Sequence, residues 1–226
     1  MSLYSLIVEN KYILEIFYAL IISSVCMLIV LKTDRFYQLS LHRGIRYFRN
    51  AFFFYGLAFG ARYLFGLFSD FSLHYAFVLG MVFEYFFVMA GFFLFYSLIY
   101  KKVESPREHY KSSLLNPKIF VFHMVALIIA VLGYLWQTYY FMFVSQILIF
   151  FCSLIIVFSN YIKSGRQHKF LKFYTIAVLL GLGAWILNLL AALYFEWSKI
   201  VMMNVGILNI IFFLLFLFGV IKVTRG

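Results

Sequence analysis

Long apolar runs separated by short polar stretches dominate the pattern along this chain. Seven runs are long enough to cross a hydrocarbon core as helices, which takes about 20 residues for a core of about 30 Å. No segment shows the alternating polarity, about ten residues long, of a transmembrane β-strand. The pattern therefore predicts an all-α fold, a seven-helix transmembrane bundle. The predicted spans are 12–32, 47–68, 72–100, 117–137, 139–161, 169–194 and 198–222.

Two kinds of connection separate these spans. Tight turns are predicted near Ser69-Asp70, at Trp136-Gln137-Thr138 and near Glu196-Trp197. Longer polar connections are predicted at 33–46, 101–116 and 162–168. None of these is long enough to fold as a domain, so residues 1–226 are predicted to form a single polytopic membrane domain. The short tail before Gly226 leaves open whether a cytoplasmic output domain follows.

Composition and charge placement define the environment and the orientation. The chain is 65% hydrophobic and 12% charged, whereas soluble domains are about 45–50% apolar and about 25% charged. Sixteen Lys and Arg residues flank the long connections and the tail, and only Lys11 and Lys199 flank the opposite side. The positive-inside rule then places the C-terminus in the cytoplasm and the N-terminus outside, in a multi-pass protein of the cell membrane.

The formal charge of +11 does not point to nucleic acid, because the basic residues lie between apolar spans. Arg43, Arg46 and Arg49 begin the second span at the level of the cytoplasmic headgroups. Anionic lipid headgroups in the bilayer are their expected partner, at about 1 kcal/mol per residue. A docking surface for a cytoplasmic partner protein is the alternative. Nucleic acid is not expected to bind.

Ionisable residues within spans are candidates for function, because an unpaired charge in the membrane is costly. Glu84 lies near the middle of the third span, and Arg62 near the outer end of the second is its predicted partner. Glu15 in the first span competes for Arg62. The other candidate ligand-binding residues are polar or amphipathic groups that lie mostly in the outer half: His74, Gln146, Trp185, Asn188, Asn204 and Asn209. They predict a polar cavity open to the outside, or else hydrogen bonds between helices.

Small residues at helical spacing predict the faces on which the helices pack, since close backbone approach holds transmembrane helices together. The second span carries Gly56 and Gly60 as a GxxxG pair, and the fourth carries Gly133. Cys26 and Cys152 lie inside apolar spans and are predicted to be free thiols with little reactivity.

Known catalytic and cofactor motifs are missing from the sequence. It has no HExxH zinc motif and no GxSxG nucleophile elbow. The two aspartates, Asp34 and Asp70, fall in predicted connections, and the histidines are too scattered for haem. The last span has lysines only at its ends, Lys199 and Lys222, which argues against retinal. We therefore expect no catalytic residue, no metal, no cofactor and no enzymatic activity.

These features favour a small-molecule sensor or receptor. A small-solute transporter of 3+1+3 plan is the alternative, and a membrane enzyme acting on lipid is a more distant one. In topology the chain resembles the SWEET-type sugar transporters, without their Pro-Gln signature, and is similar to the seven-helix sensor regions of microbial signalling proteins. The former resemblance implies transport and the latter implies ligand sensing.

Overall fold

The computed structural model describes residues 11–40, 43–64, 73–103, 117–163, 169–194 and 199–224. In these ranges the regular structure is helical, which confirms the all-α prediction for this part of the chain. The seven α-helices are α1 (Lys11–Ser40), α2 (Arg43–Phe59), α3 (Leu73–Val103), α4 (Pro117–Trp136), α5 (Tyr140–Lys163), α6 (Lys169–Tyr194) and α7 (Lys199–Thr224). A π-helical segment, Gly60–Leu64, continues α2.

Six of these helices are long and apolar enough to cross a membrane, and they make the protein a multi-pass integral membrane protein. Their apolar stretches are Ile16–Leu39, Val78–Tyr100, Pro117–Trp136, Tyr140–Ile162, Tyr174–Tyr194 and Asn204–Lys222. The exception is α2, whose 17 residues extend over about 26 Å. It carries three arginines in its first two turns.

In the described part of the chain, six helices form a closed ring. The helices α1, α2, α3, α5, α6 and α7 pack in that order, and α7 returns to α1. The remaining helix, α4, lies outside the ring, mainly against α3. Because α4 is peripheral, most of its surface is exposed and apolar, as expected for a helix that faces lipid.

Aromatic side chains, many of them from α2, pack in the interior of the six-helix ring. Phe48, Phe52, Tyr55 and Phe59 are spaced four, three and four residues apart, which places them on one face of the helix. Ring contacts join this face to α7, with Phe213 centred 5.3 Å from Tyr55 and 5.9 Å from Phe59. Burial of this aromatic face explains how α2 occupies the bundle despite its basic N-terminal turns.

The structure corrects the predicted boundaries at the polar ends of α1 and α2. The prediction of a connection at 33–46 is wrong for most of these residues, because α1 continues to Ser40 and α2 already begins at Arg43. Asp34 therefore lies in a helix, not in a loop. Its Oδ2 accepts a hydrogen bond of 3.2 Å from Nε2 of Gln38, one helical turn later. Such pairs four residues apart stabilise a helix beyond its apolar stretch.

The other helix ends agree with the predicted spans to within a few residues, and α6 matches its predicted span, 169–194. The second predicted span, 47–68, corresponds to helical residues that begin earlier and are described only to Leu64. The turns predicted near Ser69-Asp70 and Glu196-Trp197 lie outside the described residues.

The predicted turn at Trp136-Gln137-Thr138 is confirmed and has a defined geometry. The Gln137 N–H donates to the Tyr134 carbonyl at 3.3 Å, and the Thr138 N–H donates to the Gly133 carbonyl at 3.1 Å. This is the Schellman pattern of a helix C-terminus, which places one residue in the left-handed region. That residue is Gln137, with φ of 51°. We call this end of the bundle the turn end and the opposite end the basic end.

Close approach of α1 and α2 involves only one glycine of the predicted GxxxG pair. A Cβ on Gly56 would lie 3.4 Å from Cβ of Cys26, an ordinary packing distance, whereas one on Gly60 would meet no atom within 4 Å. Both cysteines are free, as predicted. Cys26 is buried at this contact, and Cys152 lies on the exposed face of α5.

Candidate functional site

Arg62 lies in the π-helical segment that ends the described part of α2. Its guanidinium carbon is 4.7 Å from the ring centroid of Phe83 on α3 and 4.7 Å from that of Tyr139 at the turn end. The two rings are nearly perpendicular, with an interplanar angle of 89° and centroids 6.4 Å apart. Both guanidinium–ring distances are well within the range of cation–π attraction, which extends to about 6 Å.

Glu84 follows Phe83 on α3 and turns its carboxylate toward α4. The residue is 3% exposed, and its Oε2 has no hydrogen-bond partner among the described residues. A Cβ on Gly133 of α4 would lie 2.7 Å from the carboxyl carbon of Glu84. The Glu84 carboxylate therefore occupies space that is available only because Gly133 has no side chain.

Arg62 and Glu84, the ionisable residues that the sequence paired, lie in the same region of the structure. The Arg62 guanidinium lies over the Phe83 ring, and Glu84 is the next residue along α3. They approach from different directions, because Glu84 faces α4 whereas Arg62 faces the turn. We refer to Arg62, Phe83, Glu84, Gly133 and Tyr139 together as the Arg62–Glu84 site.

Gln146 lies on α5 and packs against α3. It is fully buried, and its Nε2 donates a 3.1 Å hydrogen bond to the Phe87 carbonyl. A Cβ on Gly91 would lie 2.7 Å from its Oε1, so this glycine makes room for the amide. Oε1 has no partner among the described residues. Gln146 therefore joins two helices and retains one unused acceptor.

Trp185 and Asn188 on α6 differ in their surroundings. The Trp185 ring contacts Phe87 at a centroid distance of 5.1 Å and Phe143 at 6.1 Å, so it belongs to the aromatic interior. Asn188 is buried, and its Nδ2 donates to the Ala184 carbonyl of its own helix at 2.8 Å. This bond back to the preceding turn pairs one N–H of the amide within its own helix.

The two asparagines of α7 lie apart from each other. Asn209 donates from Nδ2 to the Tyr18 hydroxyl on α1 at 3.1 Å, whereas Asn204 is exposed. Tyr18 packs edge-on against Phe59, which in turn contacts Phe83. Asn209 is thus linked to the Arg62–Glu84 site through aromatic rings.

Two candidates cannot be placed at the level of side chains. Glu15 lies on α1 and His74 on the first turn of α3, but both side chains fall outside the described part of the structure. Among the residues that are described, no group of three or more His, Cys, Asp and Glu side chains could hold a metal ion.

Sequence reasoning missed the residues that surround the charged pair. Tyr139 stands in a turn and Phe83 is one of many phenylalanines, so neither carries a signal of its own. Gly133 was predicted as a packing residue, and only the fold shows that Glu84 is what it packs against. The spacing of small residues on α4, with Ala126, Ala130 and Gly133 buried, was the available signal.

A second charged group, at the basic end, was also missed. Arg49 of α2 forms an ion pair through Nη1 with Oδ1 of Asp34 on α1. Its Nη2 donates to Oδ1 of Asn50 at 3.4 Å, and its guanidinium lies 6.0 Å from the ring centroid of Tyr37. Arg49 was predicted to contact lipid headgroups, which stays a prediction, and the structure shows that it joins α1 to α2.

Comparison with protein-family models, with curated proteins and with solved structures gave no match to this chain. The functional argument therefore depends on the geometry of the described residues.

Proposed function

We propose that this protein is a small-molecule receptor of the cell membrane, with its N-terminus outside, its C-terminus in the cytoplasm and α2 as a seventh span. The Arg62–Glu84 site is the proposed ligand site, at the outer end of the bundle. The observation that carries the proposal is the buried Glu84 carboxylate, whose Oε2 has no hydrogen-bond partner among the described residues although Arg62 lies over the neighbouring residue, Phe83.

An acceptor of this kind is expensive in a membrane. Insertion scales give about 2.5–3.5 kcal/mol for a charged residue at the centre of a span, and an unsatisfied buried polar group costs about 1–3 kcal/mol. A residue with a purely structural role would gain by pairing fully or by being apolar. An acceptor that is kept available beside a cation is what a polar ligand requires.

The orientation follows from the charge split between the two ends. Most Lys and Arg residues belong to the basic end, and the positive-inside rule places that end in the cytoplasm. The turn end, with Arg62 and Tyr139, then faces the outside. A solute from outside would reach the Arg62–Glu84 site without crossing the aromatic interior.

A single helix connects the two charged groups, and this supports a role in signalling. Arg62 follows α2 at the turn end, and Arg49 lies on α2 near the basic end. They are separated by about 20 Å at 1.5 Å per residue. A ligand that displaces Arg62 would act on α2 and through it on the Asp34–Arg49 ion pair. Arg43 and Arg46 offer the adjoining surface to lipid headgroups or to a cytoplasmic partner.

The course of the helices favours a receptor over the transporter alternative. Transporters place their sites near the midplane, commonly at helices that are broken there. The apolar stretches of α3, α5, α6 and α7 are continuous α-helix across the described residues. The π-helical departure lies at the end of α2.

A ligand screen on the purified protein in lipid nanodiscs tests the proposal. A panel of water-soluble metabolites is added, and the midpoint of thermal unfolding is measured. A true ligand at 100 times its Kd stabilises by about 2.7 kcal/mol, or about 5–10 °C for a chain of this size. The shift should vanish in Glu84→Gln and persist in Cys152→Ser, which alters an exposed side chain of α5.

Proteoliposomes separate a receptor from a transporter. A radiolabelled hit from the screen should bind to the vesicles without accumulating inside them. Accumulation that exceeds binding would make the protein a transporter, and a full panel without any Glu84-dependent shift would remove the support for a receptor.

A further inference from the structure

The Arg62 guanidinium is held by features that recognise cations in general. Two aromatic rings lie 4.7 Å from it at nearly a right angle to one another. Glu84, which is buried, is the next residue after Phe83 on α3. Aromatic faces carry negative quadrupole charge and attract ammonium and guanidinium groups in this way. In this structure the cation at that position comes from the chain itself.

We propose that Phe83, Tyr139 and Glu84 form a binding site for a small organic cation, an alkylammonium or guanidinium compound. The Arg62 side chain occupies this site in the structure, and the ligand binds by taking its place. This inference rests on the proposed receptor function, because it names the ligand class of the same site.

The electrostatics favour a cation over an anion as ligand. An anion would face two negative ring surfaces and the Glu84 carboxylate, with Arg62 alone to attract it. A cation would keep the charge balance, since one positive group replaces another beside Glu84. Oε2 of Glu84, which accepts no hydrogen bond from described residues while Arg62 occupies the site, is an acceptor for a ligand whose N–H groups extend farther toward α4 than the guanidinium does.

The local backbone gives Arg62 the means to leave. It lies in a π-helical segment, and single π-helical turns in proteins occur frequently at functional sites. The Arg62 side chain is only half-buried. Two residues earlier, a Cβ on Gly60 would meet no atom within 4 Å, so the segment has free space beside it. Rearrangement of this turn would not require the core of α2 to move.

Chemical rescue tests the inference directly. Arg62→Ala and the bulkier Arg62→Gln are purified in nanodiscs and heated with 10 mM methylguanidinium chloride or with KCl at equal ionic strength. Both variants should unfold at a lower temperature than wild type. Methylguanidinium should restore at least half of the lost midpoint in Arg62→Ala, and less in Arg62→Gln because the glutamine side chain fills part of the site.

Two controls establish where the cation binds. The double variant Arg62→Ala/Glu84→Gln keeps the cavity but loses the carboxylate charge, so methylguanidinium should not restore its midpoint. Arg35→Ala removes an exposed arginine of α1 and should respond to methylguanidinium no more than wild type does. Equal restoration in the double variant, or none in Arg62→Ala, would overturn the inference.

If neither Arg62 variant folds, the inference is tested by cation binding to the wild-type protein. Tetramethylammonium chloride at 50 mM should raise its midpoint relative to KCl, and Phe83→Leu should abolish the rise; no rise in wild type would overturn the inference. The receptor proposal and the cation-site inference can fail independently. If a neutral or anionic ligand binds in a Glu84-dependent way and cations do not rescue Arg62→Ala, the receptor proposal stands and the cation site is excluded. If methylguanidinium rescues Arg62→Ala but no ligand is found for wild type, the cation site stands and the receptor proposal loses its support.

Discussion

The carboxylate of Glu84 occupies the space that a side chain on Gly133 would need. A Cβ built on Gly133 would lie 2.7 Å from the carboxyl carbon of Glu84, well inside van der Waals contact. The peripheral helix α4 thus meets α3 at a buried acid, and the size of the residue on α4 decides how closely the two helices approach.

Replacing Gly133 by Ala should lower the free energy of unfolding by about 1–3 kcal/mol, the usual cost of overpacking a tight interface. Denaturation in detergent measures the loss. In a Glu84→Ala background the same change should cost less than half as much, because the clashing group is gone. Gly183→Ala is the matched control, since its Cβ would meet nothing within 4 Å. An equal loss at both glycines would show that Glu84 is not the cause.

The turn between α4 and α5 should be improved by a glycine. Gln137 has φ of 51°, and the left-handed region costs an L-residue about 1–2 kcal/mol. Gly avoids this strain but loses more chain entropy on folding, about 0.5–1 kcal/mol. Gln137→Gly should therefore raise the free energy of unfolding by roughly 0.5–1 kcal/mol, measured by thermal unfolding in detergent. Gln137→Val, with a branched Cβ, should lower it, and a stable valine variant would contradict the strain argument.

Apolar run length predicted the helices well, because burial of backbone polar groups in lipid permits little else. It failed where helices leave the apolar region. The apolar run of α1 ends near Lys32, yet the helix continues to Ser40 with Asp34 bonded to Gln38 and paired with Arg49. Those contacts depend on where α2 lies, which hydropathy cannot show.

The candidate site was predicted to a lesser extent. The cost of buried charge led to the predicted pairing of Arg62 with Glu84. The positions of Phe83 and Tyr139 depend on the π-helical turn and on the packing of α3 against the α4–α5 turn. Asn188 and Asn209 looked alike in sequence, but one bonds to its own helix and the other to Tyr18 on α1.

The ion pair at the basic end should couple α1 to α2 measurably. Asp34→Asn and Arg49→Ala, alone and combined, should give a coupling energy of about 0.2–1 kcal/mol, the range of partly exposed pairs. The coupling should fall as salt is raised from 0.05 to about 0.5 M, because the pair is accessible to screening ions. Arg35→Ala combined with Arg49→Ala should instead be additive, since Arg35 is exposed. Additive effects of Asp34→Asn and Arg49→Ala would exclude a functional link between α1 and α2 through this ion pair.

The charge split between the two ends predicts how intact cells respond to added protease. Epitope tags placed in the 101–116 connection and after Gly226 should be protected, because the positive-inside rule places the basic connections in the cytoplasm. A tag placed before Lys11 should be cleaved. Immunoblotting before and after permeabilisation supplies the control, since permeabilised cells should lose all three tags. Cleavage of the C-terminal tag in intact cells would reverse the orientation and put the Arg62–Glu84 site on the cytoplasmic side.

If Arg62 neutralises Glu84, as the sequence predicts, losing one partner should cost more than losing both. Arg62→Leu leaves the buried carboxylate without its cation, a loss of about 2.5–3.5 kcal/mol by insertion scales. Arg62→Leu/Glu84→Gln removes both charges and should recover part of that loss, so the two single changes should not add. Unfolding of all three variants in detergent gives the coupling energy. Purely additive losses would mean that the two groups do not sense each other and would remove the electrostatic basis of the proposed ligand site.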